Sequence, residues 1–313
     1  MLRVSRESRP SRSSTVRLEN ESTVRDSSAI ALAPIQLSVY ILYMYVQVEL
    51  KDPMTDAIGA PQVLLLPTCL VDLFRPAVGF AAAELLERAG CRVAVSEHIT
   101  CCGQPGYNAG DRALSIQMAQ QVIERCEPYD YIVIPSGSCA GMLRRHYPLL
   151  FVDDPQWAPR ARTVAAKTFE LTAFLADVRK VTAVHTQFPH RVTYHDSCSG
   201  LRELGVRAQP RALLRAIPAL SLQELQGKEV CCGFGGLFCV KYPDISDRMV
   251  SDKCAAVAAT QAEVLLGGDL GCLMNIAGKL SRSGSPVQVR HVAEVLAGHL
   301  TEAPLCADVD RKP

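Results

Sequence analysis

Two adjacent cysteines followed by glycine occur twice in this chain of 313 residues, as Cys101-Cys102-Gly103 and, 130 residues later, as Cys231-Cys232-Gly233. Each pair has an outlying cysteine on either side. In the first half 31 residues separate Cys69 from the pair and 36 separate the pair from Cys139. In the second half Cys198 and Cys272 stand 32 and 39 residues away. Neighbouring cysteines make poor disulfide partners, because the bridge needs a Cα separation that adjacent residues reach only with strain. They are well placed to grip one metal centre together. Ordinary buried cysteine accounts for single thiols but not for a spacing that repeats.

The length suits two ordinary domains, and the cysteine register predicts two similar ones, over residues 54–180 and 181–313. Hydrophobic residues make up 48% and aromatics only 6%, which favours a globular α/β chain over a disordered or all-β one. A formal net charge of +1 gives no footprint for nucleic acid or an anionic membrane. Thirteen cysteines, an odd number spread over a long chain, indicate a reducing compartment, here the cytoplasm, and metal ligation rather than a disulfide framework.

Short apolar runs alternating with amphipathic stretches predict βαβ units, and hence two Rossmann-like parallel sheets related by an internal repeat. Strands are expected at 62–67, 92–95, 131–135, 191–195, 262–266 and 287–290. Helices are expected at 81–89, 111–125, 246–260 and 291–300, with 168–188 as a connector between the halves. The cysteines then follow the carboxyl ends of strands, where open α/β sheets place their ligand sites. Ser, Thr and Gly at these turns free backbone N–H groups that stabilise negative charge, such as that of a thiolate-bound cluster.

Structural zinc usually draws on two short pairs of the C-x2-C kind. Here the donors come from three separate loops, which suits a larger object held by soft thiolates. The contiguous ferredoxin run C-x2-C-x2-C-x3-C-P is absent. An iron–sulfur cluster bound through scattered ligands is therefore expected, with zinc as the alternative.

The arrangement C-x31-CCG-x35-C, with its close counterpart in the second half, resembles the cysteine-rich CCG domain. That domain occurs in tandem in the heterodisulfide reductase catalytic subunit and in glycolate oxidase iron–sulfur subunits. Residues 67–72 (PTCLVD), 136–142 (SGSCAGM) and 231–236 (CCGFGG) look like the lactate-utilisation iron–sulfur subunits in particular, and the resemblance covers residues 62–300. It implies an electron-transfer subunit of a complex oxidising L-lactate or a related 2-hydroxy acid to pyruvate. The implied cofactor is one cluster per domain, of the 4Fe-4S type. It would be held by Cys69, Cys101, Cys102 and Cys139, and by Cys198, Cys231, Cys232 and Cys272. The implied partners are iron–sulfur and flavin or quinone-linked subunits, with at most peripheral membrane contact. The wider family closes each motif with C-x2-C, whereas this chain has Ser136 and Asp269 at the first of those positions. Five candidate donors thus become four, which argues against noncubane clusters and direct disulfide reduction. The reading from a different class is a zinc- or thiol-based protein whose cysteines are structural or handle disulfides.

His195, with Asp196, precedes Cys198, and His98 precedes the first pair; either could ligate or tune a cluster, although a histidine at a strand end is more often structural. His291 is expected to cap the last helix or join the core. Cys91, Cys126, Cys254 and Cys306 fall outside the repeat, and Cys239 is a spare donor. Residues 233–236 (GFGG) lack the G-x-G-x-x-G spacing of a dinucleotide loop. Residues 1–53 are expected to be a non-core extension. Its uncharged run at 29–48 is long enough for a membrane anchor but is interrupted by Pro34, Gln36, Ser38 and Gln47.

Overall fold

The computed structural model describes residues 59–96, 99 and 101–307, so the amino-terminal extension and His98 lie outside the described residues. Among the described residues eight strands form two parallel four-stranded sheets. The first contains β1 (Gln62–Leu65), β2 (Arg92–Val95), β3 (Tyr131–Ile134) and β4 (Thr168–Glu170), in the order β2-β1-β3-β4. The second contains β5 (Arg191–His195), β6 (Ser221–Gln223), β7 (Val264–Gly267) and β8 (Gln288–His291), in the order β6-β5-β7-β8. The chain is thus two α/β domains with parallel sheets.

In the first domain β1 leads into α1 (Cys69–Phe74) and α2 (Pro76–Arg88), and β2 into α3 (Gln104–Ala109) and α4 (Arg112–Cys126). Beyond β3 come α5 (Gly137–Gly141), which runs on through a π-helical turn at Met142–His146, and α6 (Trp157–Ala166). In the second domain β5 leads into α7 (Cys198–Leu204) and α8 (Ala208–Arg215). The remaining helices used below are α9 (Pro243–Ala259), α10 (Leu270–Arg282) and α11 (Val292–Ala297).

Alternation along the strands sorts the cores. Val63 and Leu65 face a core shared by both domains, while Leu64 and Leu66 face the outer core of the first. Likewise Val264 and Leu266 enter the shared core and Leu265 the outer core of the second. Such unbroken apolar strands are what a parallel sheet covered on both faces requires. Within the shared core α2 packs on α11, fastened by the buried pair of Arg75 Nε and Glu294 Oε1 at 2.9 Å.

Two strands lie where the sequence shows none. Residues 168–188 are not merely a connector: they begin with β4, an edge strand of three residues, and continue as short helical turns. β6 is also three residues long, with alternating exposure, too short for a period-two pattern to stand out. The first helical region starts well before residue 81, with α1 and α2 meeting at Arg75, because Pro76 fits a first helical turn and not an interior. His291 caps α11: its ring accepts from the Ala293 N–H at 3.2 Å while Glu294 reaches back to the His291 N–H at 3.0 Å.

Candidate metal centres

Strand order brings the cysteines together. β1 lies between β2 and β3, so the three loops beyond their carboxyl ends are neighbours, and they carry Cys69, Cys101 with Cys102, and Cys139. β5 lies between β6 and β7 in the same way, and those loops carry Cys198, Cys231 with Cys232, and Cys272. Each set converges. The Cys102 and Cys139 sulfurs lie 3.3 Å apart, and Cys101 is hydrogen-bonded to both Cys102 and Cys69. In the second set Cys231 is bonded to Cys198 and Cys232, and Cys232 in turn to Cys272.

The local backbone explains this placement. Gly103 and Gly233 follow the pairs at φ +80° and +85°. A Cβ on Gly233 would stand 2.8 Å from the Ser246 carbonyl oxygen, and one on Gly103 3.3 Å from Met118 Cβ. These turns need glycine for conformation and for space. Their N–H groups point back at the first thiol of each pair, Gly103 N to Cys101 Sγ and Gly233 N to Cys231 Sγ, both at 3.4 Å. The carbonyl of the second cysteine is pinned by a side chain from across the site. Tyr147 Oη donates to Cys102 O and Asn275 Nδ2 to Cys232 O, each at 2.9 Å. Thr68, just before Cys69, holds φ +79° and ψ 151°, a conformation costing a β-branched residue about 1–3 kcal/mol and typical of functional sites.

In each set the hydrogen bonds among the sulfurs favour ionisation of one thiol and disfavour it at its donors. Hydrogen bonds from Cys102 and Cys69, with help from the Gly103 N–H, bring Cys101 down to about 3. Cys198 and Cys232 do the same for Cys231, to about 2. Cys69 and Cys102 are pushed up, chiefly as donors to Cys101 and then by burial; Cys198 and Cys232 are pushed up as donors to Cys231. A soft cation displaces such protons, since thiolate is the ligating form. The donor set therefore fits an iron–sulfur cluster or a single thiophilic ion.

The first set opens into a cavity of about 210 Å³ walled by Thr68, Leu70 and Pro105 and by Phe234, Leu237 and Leu270 of the other domain. The domains are locked here. Asp269 Oδ2 accepts from Ser138 N at 2.9 Å and Ser136 Oγ at 3.2 Å, and Gly137 of α5 packs on Gly200 of α7. Ser136 and Asp269, the positions lacking a thiol, thus bind one another.

Among the described residues the second set has neighbours the first lacks. A ring nitrogen of His195 and the Cys232 and Cys272 sulfurs all lie within 4.8 Å of one another. His195 is fully buried, and burial lowers it to about 3, so its imidazole is neutral. Lys253, also buried, donates to Gly227 O at 3.0 Å and acts electrostatically on Cys231, Cys232 and Cys272. Sequence reasoning missed Lys253, which lies on an alanine-rich helix and reads as a solvated charge. Asp196 is gripped by both terminal nitrogens of Arg211, at 2.9 and 2.8 Å. The remaining thiols make other contacts. Burial pushes Cys91 up to about 11 and Cys126 to about 12, both in the cores. Cys239 donates to Gly236 O, Cys254 to Ile276 O, and Cys306 is exposed.

Residues 63–144 and 192–277 each match the cysteine-rich domain family CCG. The chain is 50% identical over 238 residues to Lactate utilization protein A of an Exiguobacterium species, covering 75% of this chain and 97% of that protein. It is 48% identical over 235 residues to Lactate utilization protein A 2 of Bacillus mycoides, covering 75% of this chain and 98% of that one. A glutamate racemase from Bacillus anthracis aligns over 78% of this chain and 80% of its own at 11% identity, but its TM-score of 0.31 carries no argument. With two cysteine-rich domains and near-complete coverage of these relatives, the chain belongs to the CCG family in its lactate utilization protein A branch.

Proposed function

We propose that this chain is the iron–sulfur electron-transfer subunit of a system that oxidises L-lactate, or a related 2-hydroxy acid, to pyruvate. Each domain would hold one four-cysteine cluster of the 4Fe-4S type. The carrying observation is the convergence of two four-thiol sets, each built from three loops at the carboxyl ends of adjacent strands. The relatives' name supports the lactate assignment. The two cysteine-rich matches and equal strand orders support Rossmann-like domains arising by internal repeat, with boundaries at 54–180 and 181–313.

The bound clusters would supply one-electron storage and transfer. The protein's part is to present thiolates in a fixed array, aim backbone N–H groups at them and exclude water. Two-electron oxidation of a hydroxy acid then falls to flavin or quinone-linked partner subunits, because no dinucleotide-type loop exists among the described residues. We assign the chain to the cytoplasm, where its thiols stay reduced. Among the described residues no helix is long and apolar enough to cross a membrane.

The 3.3 Å contact of Cys102 and Cys139 favours a second reading, a single zinc ion. Tetrahedral thiolates around one zinc stand about 3.8 Å apart, from Zn–S bonds of about 2.3 Å. The adjoining cavity favours the cluster, since one ion leaves that room unused. Anaerobic purification with iron, sulfide and zinc analysis decides. Brown protein with about eight iron and eight sulfide per chain is expected for two cubanes; colourless protein with stoichiometric zinc refutes the reading.

A further inference from the structure

Counting back from the first cysteine of each set reveals an inequality. Three residues before Cys198 is His195, whereas three before Cys69 is Leu66. Leu66 lies one residue beyond β1 and His195 ends β5, and each faces the outer core of its domain. Leu66 lies with Cys102 and Cys139 there, and His195 alternates with Val192 and Tyr194, which face the shared core. A second inequality backs the first. Gly103 packs on Met118 and Gly233 on Met249. Four residues beyond these methionines come Val122 and Lys253. The first centre is therefore enclosed by apolar side chains at two places where the second has an imidazole and an ammonium group.

His195 is 1% exposed, and among the described residues neither of its ring nitrogens has a hydrogen-bond partner. Burying a polar group unpaired costs about 1–3 kcal/mol, which a folded chain tolerates where a ligand provides the partner. No carboxylate or carbonyl fills that role here. Within 4.8 Å of one of the ring nitrogens lie the Cys232 and Cys272 sulfurs of the candidate centre. We propose that His195 is a nitrogen donor to the iron of the second centre in place of one of its four thiolates, making it a mixed thiolate–imidazole site beside a first site whose described donors are all thiols. The proposal rests on the iron–sulfur reading above. Replacing thiolate character with neutral imidazole raises a cluster's potential, and Lys253 acts in the same direction by stabilising the added electron. The second centre is then the better electron acceptor of the two.

The test is pulsed electron paramagnetic resonance on dithionite-reduced protein, prepared with natural-abundance and with 15N-labelled histidine. A directly ligated imidazole gives a hyperfine coupling that changes with the isotope. It should vanish in His195→Leu, which copies the first domain, and in His195→Cys. The cysteine variant should also shift the midpoint potential of one centre downward and leave the other unchanged. Iron-loaded protein without histidine coupling, or coupling that survives both substitutions, overturns the assignment of His195 while leaving the iron–sulfur reading intact. Protein that takes up no iron overturns both.

Discussion

Gly137→Ala probes how the two domains are held together. Gly137 opens α5, the helix carrying Cys139, and meets Gly200 of α7, the helix carrying Cys198. A Cβ there would stand 2.5 Å from Ser197 Oγ and 3.0 Å from both Cα and N of Gly200. Backbone cannot retreat cheaply, and Ser197 Oγ is already engaged, capping α7 by accepting from Gly200 N at 3.2 Å. Overpacking costs about 1–3 kcal/mol, losing the cap adds about 1 kcal/mol, and the better helix propensity of alanine returns up to about 1 kcal/mol. The net is a loss of about 1–4 kcal/mol, or about 2–16 °C in midpoint temperature for a chain of this size. Gly278→Ala is the control. It lies within α10, and its Cβ would meet only the mobile end of Arg282 at 3.2 Å, so it should be neutral or slightly stabilising. Thermal unfolding of wild type and both variants, followed by circular dichroism, gives the comparison. Equal midpoints for the two variants would refute the close approach of α5 and α7.

Cys102→Ser and Cys232→Ser should each cut iron per chain by about half, because a hydroxyl is a poor substitute for a soft thiolate and one of two centres is lost. Cys126→Ser and Cys306→Ser should leave iron content unchanged, and elemental analysis reads all four. Glu170 is fully buried, and burial raises its carboxyl from 4.5 to about 7. A raised carboxyl keeps its proton in the folded chain after the unfolded chain has lost it, so its contribution to stability falls by about 3 kcal/mol between pH 4.5 and 7. Glu170→Gln should remove that decline, as denaturant unfolding at pH 5 and pH 8 would report. Arg211→Ala should cost about 3–5 kcal/mol by leaving Asp196 buried without its cation. Adding Asp196→Asn should recover much of the loss, and a double-mutant cycle measures how much.

What the sequence discloses about this fold follows from pattern length. β1, β3, β5 and β7 read clearly because they are central strands buried on both faces, so runs such as Val63–Leu65 are continuously apolar. The edge strands β4 and β6 have three residues each and one open side, and composition marks neither. The cysteine sets were legible as spacing, because strand order converts equal spacing into adjacent loops. His195 was legible only as a histidine beside a cysteine. Its significance lies in which face of β5 it occupies and in its two unpartnered nitrogens, and both are tertiary facts. Lys253 was hidden for the reverse reason, since a lysine among alanines reads as exposed until the helix is docked with that side inward.

Ser136 and Asp269 bear on why four donors per set is a property of this chain and not a deficit. Each stands three residues before the last cysteine of its half, where the wider pattern has another thiol. In the fold they are 5% and 4% exposed and touch across the domain boundary, with Asp269 Oδ2 accepting from Ser136 Oγ and from the Ser138 N–H at the start of α5. Thiolates at both positions would bring two further negative charges to within a few ångströms in a dry interface, a repulsion that water could not screen. A serine hydroxyl facing a carboxylate turns that repulsion into a charge-assisted hydrogen bond. The same carboxylate satisfies a backbone N–H of α5, one residue before Cys139, and so steadies the last donor of the first set. The residue that could have been a fifth ligand of the second centre thereby positions a ligand of the first. On this account Asp269→Cys gains a thiol but loses the clasp. It should loosen the first set, to which it does not belong, at least as much as it alters the second.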